Sequence, residues 1–267
     1  MKSQLSFPQA INLAMSREME LDSGVFAFGV DIQDHKRTFG SGAGMVEKFG
    51  SERYFGSPLT EAAATGIAIG AAGAGLRPIH VHARADFTLL AMNQLVNMAS
   101  NKSYVSNGDY KVPLTVRAII GRSWGQGAQH SKAMYSTFAH FPGLKVVLPS
   151  SPQDGYSLLR SAIRDDNPVI FLEHRWLYDV TAEVDDELIV PLGKSNVVRQ
   201  GKDLTVVACS WMTVEALQAA RILSENGVDV EVVDVRTVAP LDIDTIVDSA
   251  RKTGRVIIAE NDWTFCG

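Results

Sequence analysis

The sequence predicts an α/β protein with two doubly wound, mainly parallel-sheet domains. Three observations carry this expectation. Short runs rich in Val, Ile and Phe alternate with helix-length segments along the whole chain. Such alternation favours parallel sheets, because each return to the same end of a sheet needs a crossover helix. An acidic, irregular stretch over 181–188 then separates a larger N-terminal part from a clean β-α-β-α-β pattern, whose crossovers are expected to be right-handed. The domains are therefore expected at 1–180 and 196–267, with a linker over 181–195.

Residues 8–21 carry an amphipathic helix pattern stopped by Asp22, Ser23 and Gly24, and 25–30 reads as a buried strand. A helix opens at Glu61, with Pro58 just ahead and Thr60 in N-cap position, and ends near Gly73–Gly75. It consists almost wholly of Ala, Gly, Thr and Ile, so it is expected to be buried. Residues 77–81 form the next strand. Residues 88–103 form a helix with Leu89, Met92, Leu95, Val96 and Ala99 on one face. Residues 113–119 are a strand running into a glycine-rich loop over 121–127. Ser151, Pro152 and Asp154 give a helix start, and Pro168 forbids continuation beyond about Arg164. A strand follows at 169–173. After the linker come strand 204–209, helix 213–225, an Asn226–Gly227 turn, strand 228–233, helix 242–252 and strand 255–260.

Bulk properties narrow the function classes. The 267 residues are 46% hydrophobic and 21% charged, ordinary for a globular protein with room for two cores. A net charge of −5 without a basic run argues against a nucleic-acid surface. No stretch approaches the ~18 apolar residues that a membrane helix needs. The N-terminus has no signal-peptide core, so a cytoplasmic protein is expected, or an organellar one read without its targeting segment. Cys209 lies in an apolar strand and reads as core; Cys266, near the end, carries no metal or redox spacing.

Glu61 is the single acid of its helix, and taken alone it is a first-turn carboxylate complementing the helix dipole. Its neighbours along the chain change that reading. Ser57–Ala72 is followed by Gln126-Gly127-Ala128-Gln129-His130-Ser131, then by Phe141-Pro142-Gly143-Leu144-Lys145-Val146-Val147, then by Ser161-Ala162-Ile163-Arg164-Asp165-Asp166-Asn167-Pro168. In this order the segments resemble the beta subunits of the thiamine-diphosphate-dependent 2-oxoacid dehydrogenases, across the whole chain. The resemblance implies a transketolase-like pyrimidine-binding domain followed by a transketolase C-terminal-type domain, the latter cut short.

It also implies roles. Glu61 falls on the glutamate that hydrogen-bonds N1′ of the cofactor's pyrimidine and so makes its 4′-amino group basic. Phe87 matches the aromatic residue packed against the pyrimidine. His130 matches the histidine that assists proton transfer and acyl passage to a lipoyl domain, work suited to a group titrating near neutrality. Ala162, Ile163, Asp165 and Asn167, with Leu114 adding a carbonyl, match a K⁺ site. The alternative there is a capped helix end, and the residues leave both open. His80, His82, His140 and His174 have no such motif, although His82 lies at a strand end directed toward the expected site.

Several departures stand beside the resemblance. Gly56 replaces a common Asp, Val30 replaces a common Glu, and the strand Ile79-His80-Val81-His82 lacks the usual acid. No Gly-Asp-Gly diphosphate cradle is found, so an alpha subunit in an α2β2 assembly is expected to hold the diphosphate and Mg²⁺. Related beta subunits continue for some tens of residues beyond Gly267, which leaves the last sheet with an expected open edge. The implied activity is decarboxylation of a 2-oxo acid, pyruvate first, with acyl transfer to a lipoyl domain. The departures motivate one alternative, an inactive scaffold paralogue paired with an alpha-type subunit. A nicotinamide site at Gly70–Gly75 fails on context, because those glycines end a helix rather than opening one after a strand.

Overall fold

The computed structural model describes residues 2–34, 36, 38–122 and 125–265. Cys266 and the Ser123–Trp124 part of the glycine-rich loop lie outside them. The strands are β1 (Lys2–Ser6), β2 (Val25–Gly29), β3 (Tyr54–Gly56), β4 (Arg77–His82), β5 (Thr115–Ile120), β6 (Lys145–Val147), β7 (Val169–His174), β8 (Thr181–Asp185), β9 (Asn196–Arg199), β10 (Leu204–Ala208), β11 (Val230–Asp234), β12 (Thr237–Ala239) and β13 (Val256–Ala259). The α-helices are α1 (Phe7–Leu21), α2 (Met45–Phe49), α3 (Glu61–Gly73), α4 (Ser100–Val105), α5 (Tyr135–Ala139), α6 (Pro152–Arg164), α7 (Trp211–Glu225) and α8 (Ile243–Thr253).

A seven-stranded sheet has the order β12-β6-β7-β5-β4-β2-β3, parallel throughout except for β12. A four-stranded sheet has the order β13-β10-β11-β9, with only β9 antiparallel. The α/β, mainly parallel expectation holds. Strands β4, β5 and β7 are almost wholly buried, which is why they read as continuous apolar runs.

The short strands were not legible. β1 pairs antiparallel with β8, so part of the stretch expected to be irregular is ordered. β12 crosses from the C-terminal part to the edge of the large sheet beside β6, so the two sheets share one continuous strand connection. β13 is one of the two edge strands of the smaller sheet among the described residues, with Ile257 and Ile258 53% and 65% exposed.

Two helices differ from expectation. The helix expected at 88–103 instead begins at Ala85 as a 3₁₀ segment, passes through a π segment over Asn93–Ala99 and ends as α4. Leu89 and Leu90 consequently face outward while Leu95 and Ala99 are buried. The Glu61 helix is buried on one face only: Ala64, Thr65, Ala68, Ile69 and Ala72 pack inward, whereas Ile67 is 66% exposed. Thr60 occupies the cap position but its side chain makes no capping bond. In α6 the Ser151 cap is as expected, with Asp154 N–H donating to Ser151 Oγ at 3.1 Å.

Asp234, at the end of β11, is buried where the two parts meet. It accepts from Ser150 Oγ and, at 3.1 Å, from Thr213 Oγ1, while Arg236 pairs with Asp154 at 2.7 Å. Burial first, and the neighbouring Asp154 charge second, push the Asp234 carboxyl up to about 8 from 3.8. Between those pH values the folded state holds a proton that the unfolded chain has lost. Stability from this group is therefore full below about pH 4 and is lost as pH rises through about 8, at no more than about 1.4 kcal/mol per unit. Urea midpoints at pH 5 and 8.5 are expected to fall more for the wild type than for Asp234→Asn. Equal falls would remove Asp234 as the cause.

Candidate active site

Four chain segments leave the carboxyl ends of neighbouring strands and meet there. Residues 30–34 follow β2, 57–61 follow β3, 83–87 follow β4, and the loop reaching His130 follows β5. The crevice beyond the carboxyl ends of parallel strands is where open α/β sheets present ligand sites. A cavity of about 350 Å³ lies there, and Glu61, Phe87 and His130 all line it. Sequence positions 26 and 43 residues apart along the chain thus share one wall.

Glu61 opens α3, and its carboxylate has no hydrogen bond or ion pair among the described residues. A half-buried acid at a helix N-terminus, kept favourable by the dipole yet uncommitted, is available to a ligand's cationic or protonated nitrogen. Phe87 sits in the 3₁₀ turn after β4, with the His130 imidazole edge-on to its ring, centroids 5.2 Å apart at 75°. The Phe87 ring thereby gains a fixed orientation and His130 gains a wall.

The side chains that hold this arrangement were not found from sequence. Gln126 Oε1 accepts from Arg84 Nε at 2.7 Å and from Arg175 Nη1 at 2.8 Å. Arg175 Nη2 donates to the His130 carbonyl at 2.6 Å. Asp86, buried, accepts from Lys132 backbone N–H at 3.3 Å and Lys132 Nζ at 3.2 Å. Arg175 lies immediately after β7, so it ties the histidine loop to the large sheet. Burial first, and the nearby Arg84 charge second, lower its guanidinium to about 10. The only sequence signal was Gln126 within the Gln-Gly-Ala-Gln-His run; nothing marked two arginines from 84 and 175 as its partners.

Replacing Arg175 by Met is expected to free the His130 segment. For an enzyme that uses His130 in its chemistry, turnover should fall about tenfold to a hundredfold while substrate KM changes little, since one misplaced reacting group slows chemistry more than binding. Steady-state kinetics with circular dichroism as the fold control checks this. Unchanged kcat in a folded variant would remove Arg175 as a positioning residue.

His80 and His82 also line the cavity. Their ring centroids are 4.2 Å apart, and Phe28 stacks on His80 at 4.5 Å. Burial lowers His80 to about 4 and holds His82 well below 6.5, the nearby His80 adding to the latter. Both rings are therefore neutral at physiological pH.

The expected cation cluster lies elsewhere, at the end of α6 beside β4. There Arg77 Nη1 donates to the Ile163 carbonyl at 3.2 Å and the Asp165 carbonyl at 3.1 Å. Asp165 N–H donates to the Ala162 carbonyl at 3.2 Å, Lys145 pairs with the Asp165 carboxylate, and Asn167 N–H donates to Asp165 Oδ1 at 2.9 Å. The Leu114 carbonyl is taken by Val169 N–H. The Arg77 guanidinium thus lies against two of these carbonyls and the Lys145 ammonium against the Asp165 carboxylate, both bringing positive charge to the end of the helix.

Comparison with known proteins agrees with this architecture. The family model "Transketolase, pyrimidine binding domain" matches residues 3–181, and "Transketolase, C-terminal domain" matches 193–267. The 2-oxoisovalerate dehydrogenase subunit beta of Bacillus subtilis is 43% identical over 262 residues, covering 97% of this chain and 80% of that protein. The pyruvate dehydrogenase E1 component subunit beta of Rickettsia bellii is 39% identical, covering 99% and 82%. Among solved structures, a split-gene transketolase described as an inactive beta4 tetramer superposes with a TM-score of 0.82 at 23% identity, covering 97% of this chain and 79% of that one, a likeness of fold. With both domain models matched in order and relatives near 40% identity along almost the full chain, this protein belongs to the 2-oxoacid dehydrogenase E1 beta-subunit family.

Proposed function

We propose that this chain supplies the pyrimidine half of a thiamine-diphosphate site in the decarboxylating component of a 2-oxoacid dehydrogenase. An alpha-type subunit supplies the diphosphate and Mg²⁺ half in an α2β2 assembly. The observation that carries the reading is the uncommitted carboxylate of Glu61 at a helix N-terminus, in one cavity with Phe87 and His130. The residues present fit the cofactor's pyrimidine: an uncommitted acid for a ring nitrogen and an aromatic face in the same cavity.

When bound, thiamine diphosphate supplies the carbon nucleophile and the electron sink for decarboxylation. The chain's own residues do the rest. Glu61 holds a proton on N1′ of the ring, a charge-assisted contact made stronger by partial exclusion of water. Phe87 would offer the ring an aromatic face to pack against. His130, held by Arg175 through its backbone, moves a proton at the reacting centre and during acyl passage to a lipoyl domain. Relatives carry names for pyruvate and for 2-oxoisovalerate, and the fold alone does not choose between such acids.

The test is 2-oxo-acid-dependent dye reduction by this chain co-purified with its alpha-type partner, with thiamine diphosphate and Mg²⁺ added. Activity that needs both chains is the expected result. A stable pair that binds no cofactor and reduces no dye with any acid would sink the reading and leave a scaffold.

A further inference from the structure

The chain from His130 to Ser136 is held from two directions. The large sheet holds its start. Arg175, after β7, donates to the His130 carbonyl at 2.6 Å, and Asp86, in the turn after β4, accepts from the Lys132 N–H at 3.3 Å. Gly121, after β5, donates its N–H to the Lys132 carbonyl at 3.4 Å. The C-terminal domain holds its end. Residues 260–262 leave β13 and reach Tyr135 and Ser136 at the start of α5, contacts that span 125 residues or more of chain.

The hydroxyl of the buried Tyr135 is the centre of this second hold. It donates to the Glu260 carboxylate and accepts from the Asn261 N–H at 3.0 Å and the Asp262 N–H at 2.8 Å. These three bonds use its one proton and both lone pairs. Beside it, Asp262 Oδ2 accepts from the Ser136 N–H at 3.1 Å and from Ser136 Oγ at 2.6 Å. An acid of the second domain therefore satisfies a first-turn donor of α5, a helix of five residues that is too short to be stable by itself.

Between the two holds lies Met134, buried, at φ 62° and ψ 6°. A residue with a side chain rarely enters this left-handed region, and such a backbone persists only where its surroundings impose it. The two bonds to Lys132 are longer than an ordinary N–H···O bond, so the shorter set at Tyr135 and Ser136 is the firmer restraint on this stretch. Without that restraint Met134 can relax to an ordinary conformation, and the displacement falls on the residues just before it, which carry the His130 imidazole.

We propose that Tyr135, clamped by residues 260–262, is a positioning residue for His130, so that the C-terminal domain acts on the chemistry by fixing the histidine segment. This rests on the function proposed above, in which His130 moves a proton.

The test uses the complex with its alpha-type partner, thiamine diphosphate and Mg²⁺. Wild type, Tyr135→Phe, His130→Ala and the double variant are compared by kcat for dye reduction. Tyr135→Phe keeps the buried ring and removes only the hydroxyl. Its kcat is expected to fall on the order of tenfold, with KM and thiamine diphosphate affinity unchanged. Amide hydrogen exchange should quicken in the 127–136 peptide and stay as it was in β5 and β7. In the His130→Ala background the same substitution should cost less than about twofold, because a residue acting through His130 then has nothing left to position. Asp262→Ala removes the neighbouring hold without touching the core, and it runs the same cycle should Tyr135→Phe fail to assemble; Asp262→Asn, whose amide oxygen still accepts, should restore most of the rate. Equal fold losses in the two backgrounds overturn the proposal, as do an unchanged kcat, weakened cofactor binding or unaltered exchange at 127–136. These results leave the proposed function standing. A His130→Ala complex as fast as the wild type overturns the role of His130 in that function and this inference with it.

Discussion

Glu61→Ala is expected to lower turnover by the two-chain complex by about 10²–10⁴-fold, the range that a positioned proton-transfer group contributes. The fold should not suffer. The carboxylate is half-exposed and bonds to nothing among the described residues, so its removal forfeits at most a first-turn dipole interaction of about 0.3–1 kcal/mol. Thermal midpoints of the wild type and the variant should lie within a few degrees. Glu61→Gln should fall between them in rate, because an amide oxygen still accepts a hydrogen bond but carries no charge to hold a proton on the ring. The measurement is kcat for dye reduction together with cofactor affinity by tryptophan quenching. Full activity in the alanine variant would leave Glu61 as a dipole partner only, and the proposed site would lose its centre.

Arg117→Met is expected to cost about 3–5 kcal/mol of stability, the largest single loss predicted for this chain. Arg117 and Glu173, both fully buried, form a bidentate pair between β5 and β7, with Nε to Oε1 at 2.6 Å and Nη2 to Oε2 at 2.9 Å. Tyr178 OH donates to Glu173 Oε2 at 2.6 Å, and Arg117 reaches Ser41 Oγ at 3.2 Å and Met15 Sδ at 3.2 Å. Burial, the largest effect, lowers the guanidinium, but the charge and hydrogen bonds of Glu173, with smaller contributions from Tyr178 and Tyr54, together outweigh it and the net direction is upward. Removing one partner strands a carboxylate in the core. Removing both, as Arg117→Met with Glu173→Leu, should recover much of the loss, because well-packed apolar residues replace buried ion pairs at little cost. Chemical denaturation of the single and double variants checks this. Equal losses in the two would mean that shape rather than charge dominates there.

The long elements were legible because each satisfies a local rule. The Ser151, Pro152 and Asp154 start of α6 appears in the structure with its cap bond made. The buried β5 and β7 read as strands because both faces are covered and every residue can be apolar. The 3₁₀ and π segments between Ala85 and Ala99 were not legible. A regular helical wheel puts Leu89 inside, and it is the packing of this segment against α3 and β5 that turns it outward. β12 was equally hidden, since three residues carry no period and their pairing partner β6 lies 90 residues earlier.

The sequence by itself determined the α/β class, the order of the long elements and the motif carriers Glu61, Phe87 and His130. Each follows from interactions a few residues apart or from a run of residues with a recognisable order. Only the tertiary structure decided that Arg84 and Arg175 converge on Gln126, that Arg77 donates to the Ile163 and Asp165 carbonyls at the end of α6, and that the Nε2 atoms of His80 and His82 are buried without a hydrogen-bond partner among the described residues. The physical reason is range. A hydrogen bond or a buried charge is satisfied by whatever the fold brings within about 3 Å, and no local period records which distant residue that is.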